Sequence, residues 1–219
     1  MLRSRQADPA YAAVMGRDLT LLMADWGWLG AVPAESRIEL LEDAVWPSGT
    51  DVPYEAGHGR DDGWSRPPGP GSRWCAVYGF STTTGAHAPH ARAGAAWADL
   101  RSLVDASVRE PMDAFLDGLL RNVDQASGGG REFFPPASAD RWHRHVLLAC
   151  PPEVLPGKAR AWERLEPRLE ELRGPFTAAC EGWAGRPDTF EDFVALLREW
   201  GDVTGTAAAH RGWGLVGLP

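Results

Sequence analysis

The sequence has very little Lys, Ile or Asn. Lys158 is the only Lys among 22 Lys and Arg residues, and Ile38 and Asn122 are the only Ile and Asn. The codons of these three amino acids are rich in A and T, so their scarcity indicates a bacterial genome of high GC content. A preference for Arg over Lys therefore carries no functional information by itself.

Cysteine is also scarce. The chain has only Cys75, Cys150 and Cys180, which are far apart and form no CxxC pair. This spacing predicts neither a disulfide framework nor a cysteine-based zinc site. All three lie in apolar segments, which is typical of buried and unreactive thiols.

Positive charge and long apolar runs are missing as well. The net charge is −8, and no quarter of the chain carries a basic excess. A broad positive field for binding nucleic acid or an anionic membrane is therefore excluded. No run approaches the roughly 20 apolar residues of a membrane span, and charges interrupt the N-terminal segment. We therefore expect a cytoplasmic protein that binds neither nucleic acid nor membrane.

What the chain does contain is enough apolar material for a core. It has 219 residues, of which 44% are hydrophobic, and 11 of them are Trp. This composition predicts one globular domain over 1–219. The Trp residues are expected to fill the core, and the alternative is that some line the walls of a binding cleft.

Periodicity and breakers predict an α+β fold, mostly helical, with six to seven helices and about three strands. A Gly/Pro-rich stretch at 47–73 is predicted to be a long surface loop. Helices are predicted from Pro9 to about Met23, from Pro33 to Val45, over Trp97–Val108, from Pro111 to Val123, over Trp162–Leu172 with a division at Pro167, over 175–183, and from Phe190 to a stop at Gly201. Strands are predicted at 74–80, 144–150 and 210–219.

Two histidine pairs are the feature of the sequence that most resembles part of a metal-binding or catalytic site. His87 and His90 lie in the segment HAPH, and His143 and His145 lie in RWHRH. If the two segments meet in space, the four imidazoles could bind a divalent metal such as zinc or iron. Neither pair has the spacing of a known metal motif, and a solvated loop plus a strand end would explain them equally well. The candidates for an additional carboxylate ligand are Asp61, Asp113 and Asp117.

Arginines near these histidines provide a second candidate site. Arg141 and Arg144 flank His143, and Arg73 follows a Gly-rich stretch. Guanidinium groups bind carboxylate and phosphate through paired hydrogen bonds, so these side chains are candidate ligand-binding residues. Solvent-facing Arg is the alternative, and no Gly-rich loop matches a nucleotide-binding motif.

The stretch WGWLG at 26–30 is the third candidate. Trp26 and Trp28 are flanked by Gly. They either anchor a helix end to the core or form an exposed patch that binds a partner.

No coherent catalytic motif emerges, so the leading hypothesis is a non-catalytic binding or accessory protein. It would engage a protein partner or a small ligand, as an immunity-type inhibitor or an accessory protein of a biosynthetic cluster does. The alternative is an enzyme whose site lies near His87, His90, His143 and His145. Such an enzyme would be metal-dependent or would bind an anionic substrate through Arg141 and Arg144.

Overall fold

The computed structural model describes residues 18–46, 63–67, 73–121, 132–134, 146–180 and 182–219. Within these residues one antiparallel sheet has the strand order β2-β3-β1-β5-β4. β1 lies at its centre, with Leu22 opposite Val77 on one side and Val216 on the other. The five strands are β1 (Thr20–Asp25), β2 (Trp64–Ser65), β3 (Cys75–Tyr78), β4 (Leu148–Cys150) and β5 (Trp213–Leu218).

Helices cover both faces of this sheet. The described residues contain a five-residue helix α1 (Trp26–Gly30) and six longer ones: α2 (Arg37–Val45), α3 (Ala88–Leu100), α4 (Ala106–Leu116), α5 (Leu155–Leu165), α6 (Arg173–Ala179) and α7 (Phe190–Ala209). Short 3-10 helices occupy Ala34–Ser36, Arg101–Leu103 and Glu166–Leu172. The α+β class is confirmed. None of these helices is both long and apolar enough to cross a membrane.

The sheet has two more strands than the sequence predicted. β2 falls inside the stretch 47–73 that reads as a loop, of which residues 47–62 and 68–72 lie outside the described part. β1 replaces the end of a predicted helix, which was wrong over residues 20–23. All four residues of Leu21–Ala24 are buried. A strand covered on both faces is continuously apolar, and periodicity cannot distinguish such a run from a buried helix.

Two hydrophobic cores lie on opposite sides of the sheet. Alternate residues of β1 pack into each core, because successive side chains of a strand point to opposite faces of the sheet. Leu21 and Met23 join the larger core with α3 to α7, which we call the helix-rich face. Leu22 and Ala24 join a smaller core with α1 and α2, which we call the opposite face.

Helix α4 shows how tertiary contacts override a local breaker. Pro111 was predicted to start this helix, but it lies in its interior, and the helix ends at Leu116 rather than Val123. Asp105 caps the true start by accepting a hydrogen bond of 2.8 Å from the Ser107 amide. Proline cannot donate to the carbonyl four residues earlier. That carbonyl, of Ser107, accepts a bond of 3.2 Å from Arg168 Nη1 instead.

Helix α7 is longer than the sequence indicated. It begins at Phe190 as predicted, and its start is a capping box between Thr189 and Asp192. Gly201 was predicted to end the helix, yet it is buried in its interior. A Cβ at Gly201 would overlap the indole of Trp162. The glycine is therefore present because α5 packs closely against α7, and the helix runs on to Ala209.

Candidate functional site

The HAPH segment begins helix α3. His87 is the N-cap residue, and Pro89 stands in the first turn, where its missing amide hydrogen costs nothing. His90 is inside the helix and only 2% exposed. The segment therefore directs one imidazole into the helix-rich core, and the other remains half-buried.

His90 connects two buried polar groups. Trp200 Nε1 donates a hydrogen bond of 3.0 Å to His90 Nδ1, and His90 Nε2 lies 3.3 Å from Thr83 Oγ1. An indole N–H can only donate, so Nδ1 carries no hydrogen. The hydrogen of the neutral ring is then on Nε2, which donates to Thr83. Burial and, to a lesser extent, the charge of His87 lower the pKa of His90 to about 3, so this ring is neutral at neutral pH.

This tautomer limits what His90 can do. A general base for Thr83 would need a free lone pair on Nε2, as in the Ser-His-Asp arrangement. Here the bond from Trp200 places a hydrogen on that atom. Metal binding through His90 would likewise require the loss of its contact with Thr83 or with Trp200. The geometry favours a structural connection that orients the Thr83 hydroxyl.

The turn Ser81–Gly85 holds Thr83 in place. The Glu199 carboxylate accepts from the amide and hydroxyl of Ser81 at 2.6 and 2.7 Å, and from the amide of Thr82 at 3.2 Å. The Thr82 hydroxyl donates to the same carboxylate. Thr84 has a φ of +47°, a conformation that costs a non-glycine residue free energy and that surrounding contacts must stabilise.

The predicted metal site is only partly within the described residues. The rings of His87 and His90 are 6.4 Å apart between centroids. His143, His145 and Asp61 lie outside the described ranges, so their meeting with HAPH stays a prediction. No cluster of three or more His, Cys, Asp or Glu side chains able to hold a metal is found in the described part of the chain.

Asp113, one of the proposed carboxylate ligands, is already paired. It accepts hydrogen bonds from Trp97 Nε1 at 2.9 Å and from Arg101 at 2.8 Å, and forms an ion pair with Arg121 at 2.7 Å. Partial burial raises the pKa of Asp113, but the bonds from Arg101 and Trp97 outweigh it and leave the pKa below its ordinary value. This carboxylate therefore ties α3 to α4.

The three thiols are buried. Burial raises the pKa of Cys75 and of Cys150 to about 12 and that of Cys180 to about 11. The thiolate is the reactive form of cysteine, and these three side chains are protonated at neutral pH.

Lys158 is a buried cation with a structural role. Its Nζ donates to the carbonyls of Ala114 and Phe115 at 3.3 Å, and also to that of Asp117. Burial lowers the pKa of Lys158. The ammonium supplies three donors to the end of α4, where helix carbonyls lack partners.

Trp26 and Trp28 lie on the opposite face. Trp28 stacks on Trp74 with ring centroids 4.2 Å apart and planes within 11°, and Trp28 is 39% exposed. Trp26 is half-buried and stacks on Phe133 at 4.5 Å. Arg73, which precedes Trp74, is exposed, whereas Arg141 and Arg144 lie outside the described residues. We call Trp26, Trp28, Arg73, Trp74 and Phe133 the aromatic platform.

The backbone beneath the platform is firmly held. Asp25 caps α1 by accepting a bond of 3.0 Å from the Trp28 amide. Arg37 donates to the carbonyls of Leu29 and Val32 at 3.0 Å, and its guanidinium lies 4.0 Å from the Phe133 ring centroid. Gly214 on β5 leaves space for the Trp26 ring, which a Cβ there would overlap.

Sequence reasoning missed Thr83, Arg37 and Glu199. Their contacts span large separations: Glu199 is 118 residues from Ser81, and Arg37 is 96 residues from Phe133. The unusual run STTTG was the only local signal, because it places three hydroxyl-bearing Thr next to a turn glycine. A search against protein-family models, curated proteins and solved structures gave no match for this chain.

Proposed function

We propose that this protein is a non-catalytic cytoplasmic binding protein that engages a protein partner through the aromatic platform. The observation that carries the proposal is the exposed Trp28 ring, stacked on the buried Trp74 ring. Aromatic residues held in one conformation bury a large area at small entropic cost, and Trp and Arg are enriched among the residues that dominate binding energy. An immunity-type inhibitor and an accessory protein of a biosynthetic cluster both fit this proposal.

The platform also indicates the chemistry of the partner. Arg73 is exposed, and no ion pair or hydrogen bond to it is present among the described residues. The platform therefore combines aromatic rings with the cationic side chain of Arg73. We therefore expect the partner to place a carboxylate beside an apolar side chain, because this pairing complements both features.

The experiment compares Trp28→Ala with Trp183→Ala. Trp183 is the matched control, because it is 65% exposed and follows α6, away from the platform. Full-length wild type and both variants are used to capture partners from the source organism. Each partner found by mass spectrometry is then produced alone, and its Kd for the three proteins is measured by calorimetry.

Trp28→Ala is expected to weaken binding about 30-fold, which corresponds to about 2 kcal/mol, and Trp183→Ala to leave the Kd unchanged. Arg73→Glu should also weaken binding, mainly by slowing association. Equal affinity of wild type and Trp28→Ala for every reconstituted partner would overturn the proposal.

The alternative enzyme near His87, His90, His143 and His145 makes a different prediction. Elemental analysis of protein purified without chelators would show a stoichiometric transition metal, or an anionic substrate would be turned over in a way that Arg141→Ala or Arg144→Ala abolishes. Either result would replace the binding-protein proposal.

A further inference from the structure

A cleft of about 240 Å³ opens between the first turns of α3 and α7, beside the turn Ser81–Gly85. It belongs to the helix-rich face, whereas the aromatic platform is on the opposite face. Pro89, Pro187 and Leu196 give it an apolar part, and Thr83, Arg92 and Asp188 give it a polar part. Clefts for drug-sized ligands are about 300–1,000 Å³, so this one suits a smaller molecule.

Thr83 presents a hydrogen-bond donor to this cleft. The residue is 5% exposed, and its Oγ1 accepts from His90 Nε2 because Trp200 fixes the tautomer of the ring. The hydroxyl hydrogen of Thr83 then has no acceptor among the described residues. A buried donor without an acceptor is costly, which makes the site receptive to an acceptor from a ligand.

Arg92 also lines this cleft. Its Nε is buried without a hydrogen-bond partner, and no ion pair to its guanidinium is present within the described ranges. Most other half-buried Arg side chains here are paired, as Arg186 is with Asp99 at 2.8 Å. A guanidinium and a hydroxyl together match a carboxylate, which accepts several hydrogen bonds at once.

Acidic groups at the rim select against a strongly charged anion. Asp188 is exposed and has no ion pair in the described residues, and Asp192 accepts from the Thr189 hydroxyl at 2.7 Å. Two carboxylates beside the cleft repel a phosphate dianion, but they attract an ammonium group. A ligand with a carboxylate near Arg92 and an ammonium near Asp188 satisfies both ends.

We propose that the cleft binds a free α-amino acid with an aliphatic side chain. Arg92 and Thr83 hold the carboxylate, Asp188 attracts the ammonium, and Leu196 with the two prolines contacts the side chain. This site is independent of the aromatic platform.

The test is calorimetric titration of the full-length protein with L-leucine, 4-methylpentanoate, isoamylamine and inorganic phosphate. L-leucine is expected to bind at least tenfold more tightly than the two compounds that each lack one charged group. Three results would each overturn the proposal. They are tighter binding of phosphate than of leucine, equal binding of leucine and 4-methylpentanoate, and no binding of leucine at about 10 mM, which is tenfold above a Kd of about 1 mM.

Variants assign the contacts. Arg92→Met should weaken leucine binding at least tenfold, and Asp188→Asn should weaken leucine but not 4-methylpentanoate. Asp202→Asn, an exposed acid farther along α7, is the matched control and should change nothing. Thr83→Val removes an acceptor that His90 uses, so its folding is checked by circular dichroism, and Thr83→Ser, which keeps the hydroxyl, should bind as wild type does. Unchanged leucine affinity in Arg92→Met would overturn the proposal.

Discussion

Trp97 and Trp200 on the helix-rich face differ from Trp28 on the opposite face in nearly every respect. The first two are fully buried, and their indole N–H groups donate to Asp113 and His90. Trp28 is 39% exposed and contacts Trp74 through its ring face. The same residue type therefore links helices on one side of the sheet and forms a surface on the other.

The difference separates the roles of the two faces. On the helix-rich face, the polar groups bonded to Trp97 and Trp200 are buried or half-buried and paired, so a change at these contacts is expected to cost stability. On the opposite face, the exposed aromatic contact adds little to folding, so a change there is expected to affect binding instead. This contrast leads to four predictions, from the largest expected effect to the smallest.

Acid should destabilise the helix-rich face through His90. Below the ordinary His pKa of 6.5 the unfolded chain takes up a proton at His90, whereas burial keeps the folded ring neutral down to a pKa of about 3. The contribution of His90 to stability is therefore complete above pH 6.5 and is lost as the pH falls, at about 1.4 kcal/mol per pH unit. Over the whole window the loss is roughly 4 to 5 kcal/mol.

Urea unfolding at pH 7, 6, 5 and 4 measures this slope. His90→Gln is the control, because its amide can accept from Trp200 and donate to Thr83 but does not titrate. The wild type should lose stability more steeply than His90→Gln, and parallel curves for the two proteins would contradict the prediction.

Gly201→Ala should destabilise the contact between α5 and α7 by about 3 kcal/mol, the upper end of the usual range for overpacking. The new Cβ would overlap the Trp162 ring, which has no space to move because it is buried. Gly205→Ala lies one turn further along α7, where a Cβ would have no neighbour within 4 Å. Alanine there should stabilise the helix by up to about 1 kcal/mol. Thermal unfolding should show a lower Tm for Gly201→Ala and a higher Tm for Gly205→Ala than for the wild type.

Trp97→Phe should cost about 2 kcal/mol, because the ring loses its hydrogen bond to the charged Asp113. Trp28→Phe keeps an aromatic ring for stacking on Trp74 and loses no hydrogen bond of the indole among the described residues, so its cost should stay near 0.5 kcal/mol. Denaturant midpoints measure both. A larger loss of stability for Trp28→Phe than for Trp97→Phe would contradict the expected difference between the two faces.

Asp25→Ala should cost less than Trp97→Phe, about 1 kcal/mol or less, through the loss of the cap on the short helix α1. The change should be local, so hydrogen exchange is expected to quicken at the Trp28 amide and not in α7. Thr189→Ala, which removes the cap of α7, is the counterpart and should affect α7 alone.

Much of the fold could be predicted where the signal was local. The strands β3, β4 and β5, the helix α2 and the division at Pro167 follow from short apolar runs bounded by breakers. β1 could not be predicted, because Leu21–Ala24 is buried on both sides and so shows no alternation. The length of α7 could not be predicted either. Gly201 leaves space for the Trp162 ring on another helix and does not end α7.

For the candidate sites, too, local features could be predicted from the sequence and long-range contacts could not. The sequence singled out HAPH and WGWLG by composition, but it contained no sign that Trp200 would fix the tautomer of His90 or that Thr83 and Arg92 would share a cleft. These relations join residues up to 110 positions apart. No local pattern encodes such pairs, because each depends on how helices pack.

By itself the sequence determined the class of the fold, the acidic net charge, and the segments where polar and aromatic residues concentrate. These follow from composition and from the local periodicity of side chains. Only the tertiary structure decided that HAPH starts a helix with one buried imidazole, that Trp28 stays exposed, and that Arg92 Nε is buried without a hydrogen-bond partner among the described residues. Burial and pairing depend on which distant side chains meet, and that is fixed when the two faces of the sheet are covered.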